Sequence, residues 1–133
     1  MPVKIINVAT QLPDFSRETK DILPFLDSWL VNQDDRFKRK VKKIFEGANV
    51  DKRYSIMDSV EVFSLYSFEQ RNAIYAREMI VLGEKVLKKA LDKAKWEPET
   101  IDYIITVSCT GIMIPSLDAY LINKLNLRQD IVR

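Results

Sequence analysis

Histidine is absent from all 133 residues and cysteine occurs once, at Cys109. Without imidazole a Ser or Cys nucleophile has no ordinary base, so Cys109, read as a buried thiol, is a poor candidate for that role. Metal binding would fall to carboxylates. Yet Glu97-Pro98-Glu99 and Asp34-Asp35 read as a turn and a helix start, and no metal site is expected. One cysteine excludes an internal disulfide framework and fits a reducing cytoplasm. The three glycines, Gly47, Gly83 and Gly111, lie too far apart to form a phosphate-cradling loop. No apolar run reaches spanning length, and residues 1–9 are too short and too lightly flanked for a signal peptide; a membrane partner is not expected. Lys and Arg number 21 against 19 Asp and Glu, a net charge of +2. That is too near neutral to imply nucleic acid.

What is present is enough apolar side chain, 47% of residues, for one core and one folded unit over residues 1–133. Neither repeats nor a linker interrupt it. Lys4 to Thr10, rich in Ile and Val and closed by Leu12-Pro13-Asp14, predicts a strand. A helix to about Val31 carries Ile22, Leu26, Trp29 and Leu30 on one side. Pro24 allows two readings: a start near Thr19, or a start after Ser16 with a kink, the latter preferred. From Asp34 to Phe45 a second helix should bury Phe37, Val41, Ile44 and Phe45 beneath a cationic face, with Gly47 available for a left-handed cap. Lys52 to Ile56 reads as a short strand. Ser67-Phe68-Glu69-Gln70 is a capping box that opens a long helix to Lys95, with Ala76, Met79, Gly83, Val86, Ala90 and Ala94 as a small-residue stripe that permits close packing against a sheet. Helices alternating with strands over long crossovers argue for α/β layers.

The most informative segment runs from Ile101 to Asp118. Ile101, Ile104, Ile105 and Val107 suit a strand covered on both faces. It leads into Cys109-Thr110-Gly111, where glycine lets the backbone turn or approach a ligand closely, and then into a helix. Such strand-to-helix junctions are where α/β enzymes place substrates; the plain alternative is a connection and nothing more. Asp130 to Arg133 reads as a further strand.

The wording Ser108-Cys109-Thr110-Gly111, followed by Pro115-Ser116-Leu117-Asp118-Ala119, resembles the microbial type III polyketide synthases of the chalcone and stilbene synthase family. Leu125-Asn126-Leu127-Arg128, Ile131-Val132-Arg133, Arg53-Tyr54-Ser55 and Trp96 to Asp102 continue the likeness. The resemblance implies a thiolase-like fold, of which this chain would be most of the first α/β half. It also implies a homodimeric acyltransferase that condenses an acyl-CoA starter with malonyl-CoA through a Cys-bound acyl group, with no other cofactor. The family's Cys, His and Asn would lie beyond Arg133, so this incomplete N-terminal domain is expected to be inactive. Two other readings stay open: a relative of ketoacyl-ACP synthase III or hydroxymethylglutaryl-CoA synthase, and a non-catalytic acyl-CoA-binding module.

Residue by residue, the resemblance implies that Lys40 and Lys43, three apart and hence on one helical face, hold coenzyme A phosphates. Their plain alternative is a solvated basic face. The family's third basic position falls on Gly47. Cys109, Thr110 and Gly111 match the starter-substrate pocket, in a turn shorter than that of plant relatives. Ile114 matches a residue that crosses the dimer interface; its alternative is an ordinary loop apolar residue.

Overall fold

The computed structural model describes residues 2–64 and 67–133, which form two compact units, 12–64 and 2–11 with 67–133. The first is built on an antiparallel pair, β1 (Phe15–Glu18) and β2 (Lys52–Ser55). Its register sets Arg17 opposite Arg53, a like-charge pair that costs stability unless each charge finds another partner. Each does. Arg17 forks onto both carboxylate oxygens of Asp58 at 3.1 and 2.8 Å, and Arg53 stacks on the Phe45 ring at 4.1 Å.

Helix α1 (Thr19–Trp29) starts where β1 ends, so the expected start after Ser16 is corrected: residues 16–18 pair as strand. Its buried side is Ile22 and Leu26, joined by Leu30, and Phe25 stacks on Phe63 at 6.2 Å. Helix α2 (Asp35–Gly47) is capped by the Asp34 carboxylate, which accepts from Phe37 N–H at 2.8 Å. Of its expected stripe only Val41 and Phe45 are half-buried; Phe37 and Ile44 are exposed. The left-handed residue after the helix is Asn49, not Gly47. Asparagine tolerates that conformation through its short polar side chain. A short helix, α3 (Ser59–Val62), completes this unit with its own capping box from Asp58 and Glu61.

The second unit is organised by α4 (Phe68–Ala94), a 27-residue helix opened by the Ser67–Gln70 capping box. Its small stripe, expected to pack closely against a sheet, meets a helix instead. A Cβ on Gly83 would lie 3.3 Å from Leu121, so the glycine brings α5 (Leu117–Leu125) close against α4. Below this contact Ile122, Leu125, Leu127 and Ile131 form a core with Leu87, Ile101 and Ile104, each buried aliphatic contributing about 1.5–3 kcal/mol.

Neither Lys4–Thr10 nor Ile101–Ser108 forms a strand ladder. The first segment is tacked to α4 instead. Asn7 donates to Ala90 C=O at 3.1 Å, and Lys93 and Lys89 donate to the carbonyls of Val8 and Thr10. The second makes one parallel bridge, Tyr103 to Val132, with bonds from Ile104 N–H to Val132 C=O and from Val132 N–H to Asp102 C=O, both 3.0 Å; the strand expected over Asp130–Arg133 is this bridge. Ile105 and Val107, expected to be covered on both faces, are 74% and 88% exposed. β-Branched residues record fitness for a pleated, covered surface and not the presence of the neighbour that covers it.

Candidate functional site

Helix α4 and the loop that follows residues 101–108 build the candidate pocket together. The capping box fixes where α4 begins, and thereby places Asn72 and Tyr75, three apart, on one face of its second turn. Asn72 pairs with the Ile112 backbone in both directions, accepting its N–H at 2.8 Å and donating to its C=O at 2.9 Å. Tyr75 donates its hydroxyl to Ser108 Oγ at 2.5 Å. The loop is thus clasped on either side of Cys109-Thr110. Gly111 sits under the Tyr75 ring so closely that a Cβ there would fall 2.2 Å from the nearest ring carbon. That close approach, and not a positive φ, is what requires glycine.

Cys109 and Thr110 are exposed at the tip, and the thiol is free. The expectation of a buried thiol is corrected. Beside them lies a cavity of about 160 Å³, lined by Tyr75, Thr106, Val107, Ser108 and Gly111 among others. Thr106 leads from the cavity to Asp118, donating to its carboxylate at 3.1 Å. Asp118 is buried at the start of α5, with Arg133 at 3.7 Å. The Ser116 hydroxyl first, then its own backbone N–H, Thr106 and the charge of Arg133, hold its pKa below the ordinary 3.8, against the opposing effect of burial. Ile114 stands at 92% exposure just past the loop, and nothing among the described residues covers it.

On α2, in the other unit, the basic face is not uniform. Lys42 is taken up by Asp27 at 2.6 Å and Lys38 reaches the Val31 carbonyl at 3.3 Å. Lys40 and Lys43 are exposed and make no ion pair among the described residues, and the same is true of Arg36 and Arg39 on this helix. Gly47, one turn on, has nothing within 4 Å of the position a Cβ would take. Among the described residues no cluster of His, Cys, Asp and Glu could hold a metal, and no helix is long and apolar enough to cross a membrane.

Sequence reasoning missed Asn72, Tyr75 and Asp118. Tyr75 is the only tyrosine of α4, set beside the small-residue stripe, and with Asn72 three residues before it was the available signal.

No family model matches the chain. Over 90 residues it is 34% identical to 1,3,6,8-tetrahydroxynaphthalene synthase of Streptomyces griseus, and over 86 residues 31% identical to phloroglucinol synthase of Pseudomonas fluorescens. These alignments cover 68% and 65% of this chain. The solved structure of the Streptomyces coelicolor tetrahydroxynaphthalene synthase, a bacterial type III polyketide synthase, matches 93% of this chain with a TM-score of 0.82 at 27% identity. The chain belongs to the type III polyketide synthase family. Its fold is the thiolase-like fold of those enzymes, and it corresponds to their N-terminal region. It spans 24% and 25% of the length of the two sequence relatives and 35% of the solved chain.

Proposed function

We propose that the protein carrying this chain is an acyltransferase that builds a polyketide from an acyl-CoA starter and malonyl-CoA. A cysteine thiolate takes the acyl group from coenzyme A, forming a new thioester and expelling coenzyme A as its thiolate, which then takes up a proton. Malonyl-CoA then loses carbon dioxide, and the electron pair left on its α-carbon attacks the acyl carbonyl, freeing the cysteine thiolate. The nucleophile and its His and Asn partners lie outside these 133 residues, which contribute binding surfaces. Lys40 and Lys43 hold the phosphates of coenzyme A; Cys109, Thr110 and Gly111 line the starter pocket; Ile114 meets the partner subunit of a cytoplasmic homodimer. The observation that carries this reading is the exposed basic face of α2, where Lys40 and Lys43, with Arg36 and Arg39, make no ion pair among the described residues, in a chain whose relatives are polyketide synthases.

The test is radiolabelled malonyl-CoA. The protein carrying this chain should release labelled carbon dioxide and form a labelled polyketide, while residues 1–133 by themselves should give nothing above a boiled control. Turnover by residues 1–133 that Cys109→Ala abolishes would overturn the assignment of a separate nucleophile. Failure of the whole protein to consume malonyl-CoA would overturn the reaction.

A further inference from the structure

We infer that Tyr75 is the residue that sets how long an acyl group the pocket at Cys109-Thr110-Gly111 accepts, with Asn72 holding the loop in register beneath it. The inference rests on the reading of that loop as a substrate pocket and adds to it the residues that shape it. Three observations converge on the same side chain. The ring occupies the space a Cβ on Gly111 would need, its atoms standing 2.2 to 2.6 Å from that position, so ring and loop backbone are in full contact. The hydroxyl is bonded to Ser108, the last residue before the exposed tip. The ring also forms one wall of the 160 Å³ cavity whose other walls include Thr106 and Val107.

The scaffold behind the ring gives it little freedom to move aside. Tyr75 lies within the second turn of a helix whose start is fixed by a two-way capping box, and one turn earlier Asn72 makes two bonds to the Ile112 backbone that mimic a strand pair. A bulky, rigid side chain held on a helix is the ordinary way to limit a pocket, because close-packed walls do not yield to an extra methylene without strain. A short acyl chain entering past Cys109 meets the ring. Ser108 and Gly111 of the loop line the cavity beside the ring, so removing the ring enlarges the space that the loop faces.

The thiol of Cys109, exposed at the tip, supplies a reporter for occupancy. Protection of Cys109 from maleimide alkylation by acetyl-, octanoyl- and palmitoyl-CoA, read by peptide mass, compares wild type with Tyr75→Ala, Tyr75→Leu and Tyr75→Phe. Acyl-CoA thioesters carry no free thiol and leave the reagent intact. The expected result is preferential protection by the short thioester in wild type and in Tyr75→Phe, which keeps the ring. In Tyr75→Ala the ratio of palmitoyl to acetyl protection rises at least fivefold, and in Tyr75→Leu by less. Leu also retains enough bulk to report if Ala fails to fold. Rescue by Phe separates the effect of the ring from general damage to the loop. Protection that is real but has the same chain-length profile in every variant would overturn the inference and leave the pocket standing. No protection by any thioester in wild type would overturn the pocket reading itself, and the inference with it.

Discussion

Gly111 and Tyr75 occupy one space between them, and the cost of disturbing that arrangement can be measured. Gly111→Ala places a methyl inside the Tyr75 ring, an overpacking expected to cost about 1–3 kcal/mol in urea unfolding. In a Tyr75→Ala background the same change should cost far less, since the colliding atoms are gone. Equal costs in both backgrounds would mean that the contact is not what requires glycine. Asp118 gives a second test. Its folded pKa lies below the ordinary 3.8, so the unfolded chain takes the proton first as pH falls. The stability it contributes is complete above 3.8 and is lost as pH drops through the lower folded value. Asp118→Asn should therefore narrow the difference in urea midpoint between pH 7 and pH 3; an unchanged difference would contradict the assignment. Both residues show the reach of the sequence. Gly111 could be flagged because a glycine after a β-branched run signals a turn or a close approach. Which ring approaches it could not, because Tyr75 lies 36 positions away and only tertiary packing brings the two together.

Among the elements, the helices were the most legible. Capping chemistry is local: Ser67 and Gln70 satisfy orphan donors within one turn, and Asp34 does the same for α2. Strands were the least legible, because a ladder needs a partner that local sequence does not name. Lys52–Ser55 found one in residues that read as the start of a helix, while Ile101–Ser108, the stronger β pattern, made a single bridge. Helix α2 carries the prediction that belongs at this scale. Gly47 ends it with open space around its Cβ position, one turn beyond Lys43, where the family's third basic residue would stand. Gly47→Lys should fit without strain, place a cation at the negative end of the helix dipole, and tighten coenzyme A binding about two- to fivefold, the range expected of one exposed charge contact. Calorimetric titration at low salt measures it. An affinity unaltered by the third cation would indicate that α2 does not face the phosphates.

For the whole molecule, the bare apolar surface of residues 3–8 and 105–114 is the dominant fact. Exposed apolar side chains on segments that form no strand ladder are templates for association. Residues 1–133 should sediment as a dimer or larger at micromolar concentration and bind a hydrophobic dye; a monomer with little dye binding would show that these surfaces are tolerated in water. Whether α2 supplies the coenzyme A contacts of a polyketide synthase is read from kinetics on the protein that carries this chain. Lys40→Ala with Lys43→Ala should raise the Michaelis constant for malonyl-CoA about three- to thirtyfold, two screened charge contacts at the upper end of their usual worth, with a smaller change in kcat. The difference from wild type should shrink as salt rises. A Michaelis constant unchanged by the double substitution at low salt would contradict those contacts and return α2 to a solvated basic face.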